Sequence, residues 1–209
     1  KLYESMVLNL KEQYKDKIDI VLGYEVDFLN GYILDEVINS NVDYLIGSVH
    51  FLQEKNSELW GFDNPEFIGQ YKEKDIDEIW IAYFNTIETM AKSKLFDIVG
   101  HIDLIKVFKY LPTKNIKDIS FNALKAIKES NMVLEINAAG FRKPIKECYP
   151  SRDILELAYD MGIDITFSSD AHEISQIGYY YDKVTSLAKE VGYKKCAIFI
   201  NREKKLVSF

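Results

Sequence analysis

Tyr44-Leu45-Ile46-Gly47-Ser48-Val49-His50 is an apolar run of strand length that stops at a histidine. It does not alternate apolar with polar residues, so it reads as a strand buried on both faces, over 43–49. Three other runs share its design. Phe96-Asp97-Ile98-Val99-Gly100-His101 and Ile165-Thr166-Phe167-Ser168-Ser169-Asp170-Ala171-His172 also end in histidine, and Ile20-Val21-Leu22-Gly23-Tyr24-Glu25 ends in a carboxylate. All 3 histidines of the chain sit in this position. In an α/β protein the C-terminal ends of parallel strands converge on one mouth. Glu25, His50, His101 and the Asp170/His172 pair are therefore candidate metal ligands, and metal chemistry of a hydrolytic kind is expected.

Helical patterns fill the gaps between these runs. Leu2, Met6, Leu10 and Tyr14 space out one helix face over 2–14, and a further helix is expected near 32–40. The longest candidate is 73–93, with Ile76, Ile79, Trp80, Tyr83, Ile87 and Met90 on one side. Helices follow at 119–130, 151–161 and 180–191. Strands are read at 18–24, 96–99, 132–137 and 163–168, with shorter ones at 196–200 and 204–208. Residues 53–64, rich in Asn, Glu and Gly, read as a loop. Ser151 suits an N-cap, and Gly162 and Gly192 stand where helix ends need left-handed residues. Strands alternating with helices imply a parallel sheet covered on both sides. The five main strands are too few for a usual closed barrel, so the sheet is open or strands precede Lys1.

The 209 residues suit one domain, and 47% apolar content supports a substantial core. A net charge of −7 argues against non-specific nucleic-acid binding, as does a Lys-rich 194–205 segment mixed with Glu203. No apolar run reaches about 18 residues, so no membrane span is expected. Cys148 and Cys196 lack metal or redox spacing and are expected as reduced thiols in the cytoplasm.

Ser169-Asp170-Ala171-His172 offers an Asp and a His two apart after a strand, able to ligate neighbouring ions. Gly47-Ser48-Val49-His50 and Val99-Gly100-His101-Ile102-Asp103 place small residues near each His, which allows close approach. Glu25 closes an apolar run, where a buried carboxylate needs a partner; Asp27 serves instead if the strand runs two residues further. Arg142 lies just past the 132–137 strand, and its guanidinium fork suits a phosphate. Lys106, five residues after His101, adds a second candidate charge. Trp60 and its aromatic neighbours suit either a pocket wall or a loop anchor.

These residues resemble a known family. Gly23-Tyr24-Glu25-Val26-Asp27-Phe28, Gly47-Ser48-Val49-His50-Phe51, Gly100-His101-Ile102-Asp103-Leu104-Ile105-Lys106-Val107-Phe108 and Ser168-Ser169-Asp170-Ala171-His172 look like motifs of the PHP (polymerase and histidinol phosphatase) superfamily. Leu134 to Pro144 and Tyr149-Pro150-Ser151 narrow the likeness to histidinol-phosphate phosphatases of PHP type. The resemblance implies a distorted (β/α)7 TIM-like barrel, a single PHP domain over 1–209, and up to three divalent ions (Zn, Mn or Fe). It implies that Glu25 bridges two ions, that His50 and His101 complete the second, and that Asp170 and His172 bind the first and third. Arg142 and Lys106 would hold the substrate phosphate, and Asp170 would accept a proton from the nucleophile. The family's opening His-x-His motif and the further His of its second strand are not found here. The barrel is therefore expected to be N-terminally incomplete, short by roughly 50–70 residues.

The expected reaction is hydrolysis of L-histidinol phosphate in histidine biosynthesis. Its expected partners are a small phosphorylated substrate and another copy of the chain, which unpaired barrel edges would favour. Two rival readings stand beside it. One is a PHP phosphoesterase acting on nucleotides or nucleic-acid ends; the other is an inactive fragment serving as a binding or structural module.

Overall fold

The structure, a computed structural model, describes residues 2–53 and 58–209. Helix α1 (Leu2–Tyr14) leads into strand β1 (Gly23–Asp27), a single turn α2 (Asp35–Ile38) and strand β2 (Tyr44–Ser48). A hairpin of β3 (Phe51–Gln53) and β4 (Leu59–Gly61) follows, then α3 (Ile76–Ser93), β5 (Ile98–Val99), α4 (Ile116–Glu129) and β6 (Val133–Asn137). The chain continues through α5 (Arg152–Asp160), β7 (Ile165–Ser168) and α6 (Tyr181–Val191) to a hairpin of β8 (Lys195–Ile200) and β9 (Glu203–Ser208).

Strands β1, β2, β5, β6 and β7 pair side by side, all parallel, in that order. The sheet is open, with β1 and β7 at its edges among the described residues. Parallel pairing needs a crossover between strands, and the connections through α2, α3, α4 and α5 supply the four crossovers. Every residue of β6 is buried, in keeping with its place between β5 and β7. Helix α3 turns Ile79, Trp80, Tyr83, Ile87 and Met90 into the core, each worth about 1.5–3 kcal/mol of apolar burial. The Asp75 carboxylate accepts from the Glu78 N–H and starts the helix; Asn115 caps α4 the same way through Lys117. Gly162 and Gly192 end α5 and α6 with φ of +68° and +125°, as expected. Both cysteines are free and buried. None of the described helices is long and apolar enough to cross a membrane.

Several expectations are corrected. The first strand starts at Gly23, not at residue 18, and Ile18 and Val21 are exposed. Its position is set by pairing with β2, Gly23 beside Tyr44, rather than by where apolar residues begin. Helix α1 has the predicted bounds but not the predicted buried face: Leu2, Met6 and Leu10 are exposed, and Val7 is buried. Polar ties attach it instead, including Tyr3 Oη to the Gly23 carbonyl at 3.2 Å and Lys11 Nζ to Asp43 at 3.3 Å. The helix near 32–40 shrinks to one turn, and the 53–64 loop contains β4; residues 54–57 lie outside the described ones. Trp60 anchors that hairpin edge-on to Tyr71, ring centroids 4.7 Å apart. Ser151 stands at the start of α5 without a side-chain cap; its N–H instead donates to Asp103 at 2.8 Å.

Candidate metal centre

Parallel strands bring their C-terminal ends to one rim, and the proposed ligands lie along it. Glu25 projects from the middle of β1, beside Ile46 of β2. His50, His101 and Asp170 each follow two residues after the last residue of β2, β5 and β7. The structure brings Glu25, His50 and His101 together, with their donor atoms all within 4.8 Å of one another. Nε2 of His50 lies 3.2 Å from Nε2 of His101. Glu25 Oε1 lies 2.9 Å from His101 Nε2 and 3.8 Å from His50 Nε2.

This geometry fits a cation. Two neutral imidazole lone pairs at that distance repel, so a proton or a metal ion must lie between them. One carboxylate and two imidazoles form a set accepted by Zn, Mn and Fe. The metal-free electrostatics carry the same message. Burial pulls the Glu25 carboxyl upward, but hydrogen bonds from His101 and Ser48 and the nearby imidazoles outweigh it and hold it at about 2. Burial pushes the His101 imidazolium downward, yet the Glu25 hydrogen bond and the charges of Glu135, Glu25 and Asp170 raise it to about 9. The pocket favours positive charge at His101 strongly enough to overcome its burial.

The immediate surroundings hold these groups in place. Ser48 Oγ donates to Glu25 Oε1 at 2.7 Å. A Cβ at Gly100 would come within 2.4 Å of that same Oγ. The small residue before His101 therefore makes room for the serine that orients Glu25, which differs from the expected close approach to metal. His101 is 4% exposed with φ of +22°. Its N–H donates to Glu135 Oε2 at 2.6 Å, which secures the unusual backbone. Its Nδ1 has no partner among the described residues.

Glu135, a buried neighbour of the cluster, is absent from the set of residues that the sequence motifs point to. It is buried in β6, and burial raises its carboxyl despite the opposing influence of His101. The available signal was an acid inside the apolar run Val133 to Ile136. Asn137 is absent from that set as well. Its Nδ2 donates to Glu135 at 3.0 Å and reaches Asp170 Oδ2 at 3.4 Å, linking the two sides of the rim. Strand β1 does extend to Asp27, yet Glu25 remains the residue facing Nε2 of both histidines. Asp27 Oδ1 instead lies 2.5 Å from Nδ1 of His50.

The Asp170 side is looser. Asp170 has φ of +49°, and its N–H donates to Ser168 Oγ at 3.0 Å. His172 Nδ1 sits 3.0 Å from the Asp170 carbonyl oxygen, and its side chain is 81% exposed. His172 does not join the three-residue cluster. Arg142 donates to the carbonyls of Ser169 at 2.9 Å and Asp170 at 2.8 Å, with its guanidinium over the Tyr179 ring. Lys106 corrects the expectation of a phosphate-binding cation. It is 2% exposed, lies 3.0 Å from Asp103 and 3.2 Å from Glu147, and donates to the Cys148 carbonyl at 2.8 Å. A buried ammonium so placed locks two loops together.

Comparison with known proteins matches this arrangement to a family. A family model described as the PHP domain matches residues 3–139. A protein of Deinococcus radiodurans assigned as a histidinol-phosphatase is 34% identical over 91% of this chain and 72% of its own length. The Bacillus subtilis histidinol-phosphatase is 29% identical over 86% of this chain and 73% of its own. In the solved structures, histidinol phosphate phosphatase of Lactococcus lactis, complexed with zinc, L-histidinol and phosphate, superposes with a TM-score of 0.71. That match has 22% identity and covers 97% of this chain and 78% of the other. The chain belongs to the PHP domain family.

Proposed function

We propose that the chain is a metal-dependent phosphatase hydrolysing L-histidinol phosphate to L-histidinol and phosphate, one PHP domain over 1–209 carrying the site. The observation that carries this reading is the convergence of Glu25 Oε1 and the two histidine Nε2 atoms within 4.8 Å along one rim of the sheet. The histidinol-phosphatase relatives supply the substrate class.

Divalent ions, when bound at this centre, would supply Lewis acidity that lowers the pKa of water and neutralises charge on phosphoryl oxygens. Glu25, His50 and His101 would hold one such ion, and Asp170 and His172 would be available to further ones. In the reaction a water oxygen bonds to phosphorus, the ester P–O bond breaks, and the departing alkoxide takes a proton. Asp170 is linked to His101 through Asn137 and Glu135, and is the group we assign to receive the proton from water. Arg142 steadies the Asp170 turn through two carbonyls, and its remaining N–H donors are assigned to the substrate phosphate. Lys106 has no part in this scheme, because its partners are internal.

The test is phosphate release by the full-length, metal-loaded protein from L-histidinol phosphate and, in parallel, from nucleoside monophosphates. The expected result is turnover that is abolished by a chelator and favours histidinol phosphate. Equal or better turnover of the nucleotides would move the substrate assignment to another class of phosphoester. No metal-dependent turnover of either would end the proposal.

A further inference from the structure

We infer that Asp27 is a positioning residue for the metal centre, acting through His50. The inference rests on the reading of Glu25, His50 and His101 as metal ligands and deepens it. Glu25 and Asp27 are two apart in one strand, so their side chains project to the same face of the sheet. They address opposite nitrogens of a single imidazole. Glu25 Oε1 lies 3.8 Å from Nε2 of His50, and Asp27 Oδ1 lies 2.5 Å from its Nδ1. Strand pairing sets this grip, since Asp27 stands beside Ser48, two residues before His50.

The chemical consequence concerns the tautomer. A carboxylate can only accept, so Nδ1 must carry the hydrogen facing Asp27. A neutral imidazole then has its lone pair on Nε2, the nitrogen that faces the centre. The same contact fixes the ring's rotation, so that Nε2 stays turned toward the centre. His101 has no such support, because its buried Nδ1 lacks a partner among the described residues. The two histidines of one centre are thus held differently: His101 through its backbone N–H on Glu135, and His50 through its ring.

The simpler alternative is an exposed ion pair of little consequence, since the Asp27 side chain is 49% exposed. The two differ in what Asp27→Ala changes. Nitrogen-15 NMR of the histidine rings in metal-free protein, near pH 8, reads the tautomer directly. The proposal expects wild-type His50 to carry its hydrogen on Nδ1 and Asp27→Ala to show a mixture. Zinc titration should then show affinity falling by roughly 10–100-fold in Asp27→Ala. Asp27→Asn, which keeps an acceptor oxygen, should recover most of that loss. The melting temperature of metal-free protein should shift by no more than about 2 °C, as expected for a half-exposed site. Zinc affinity unchanged in Asp27→Ala, or a wild-type His50 with its hydrogen on Nε2, overturns the proposal. Wild-type protein that takes up no zinc overturns the metal-centre reading itself. The titration separates the two failures, since in that case the wild-type curve is flat as well as the variant's.

Discussion

The rim of the sheet has two halves built to different standards. On the β1–β2–β5 side, three adjacent strands present Glu25, His50 and His101 at contacts of 2.9–3.8 Å, backed by Ser48, Asp27 and Glu135. On the β7 side, Asp170 and His172 ride on a turn, and the His172 ring lies largely in solvent. Arg142 and Asn137 tie that turn to the neighbouring β6 segment, and its other hydrogen bonds run to Ser168, Gln176 and Gly178 nearby in the chain. The difference shows where preorganisation comes from. Neighbouring parallel strands in fixed register deliver donors at a common height, whereas a turn needs added hydrogen bonds to hold its donors still.

The sharpest way to break this comparison is to delete one donor from each half. His101→Ala removes a group that contacts both other members of the cluster. Metal retention at the centre and metal-dependent phosphate release are expected to fall well beyond the roughly 100-fold limit of losing an outer-shell partner. His172→Ala should leave zinc binding by Glu25, His50 and His101 within a few-fold of wild type. Calorimetric zinc titration of both variants measures this, and equal losses would erase the distinction between the halves.

A smaller effect is expected one layer out. Glu135→Ala leaves the buried His101 N–H without its acceptor, which costs about 1–3 kcal/mol. At this chain length that corresponds to a fall in melting temperature of roughly 2–12 °C. Glu135→Gln, which retains an acceptor, should lose less, as thermal unfolding followed by circular dichroism would show.

The metal-free ion pair predicts a pH signature. The Glu25 carboxyl is lowered from 4.5 to about 2, so its stabilisation is present above 4.5 and lost as pH falls toward 2. His101 is raised from 6.5 to about 9, so its stabilisation is present below 6.5 and lost as pH rises through 9. Stability from this pair should therefore be fullest between 4.5 and 6.5 and decline on both sides, in denaturant titrations run with chelator. Metal affinity should run the other way and rise with pH as the proton leaves His101. The smallest effect belongs to the exposed ring: His172→Ala should change unfolding free energy by less than about 0.5 kcal/mol.

Much of this was legible in the chain. Histidines at the ends of Tyr44–His50 and Phe96–His101 pointed to one rim, and both are there. The long periodic segment around Trp80 and Tyr83 became α3 with those residues in the core. Periodicity failed where burial did not follow it. The stripe on α1 faces solvent, because polar ties to Gly23 and Asp43 set the helix orientation. Lys106 looked like an available cation, yet Asp103 three residues earlier and the distant Glu147 draw it inside. A pair formed across about 40 residues of chain leaves no local pattern to read.

By itself the sequence determined that strands and helices would alternate, that His50 and His101 would follow strand ends, and that the family motifs would occur in order. Those features are local, governed by the spacing of apolar residues and by side-chain chemistry. Only the tertiary structure decided that Glu25 faces Nε2 of both histidines while Asp27 takes the far side of His50. It also decided that Glu135 secures the His101 backbone and that His172 stays in solvent. Those outcomes depend on strand register and on contacts between residues far apart in the chain, where a shift of one residue turns every side chain to the opposite face.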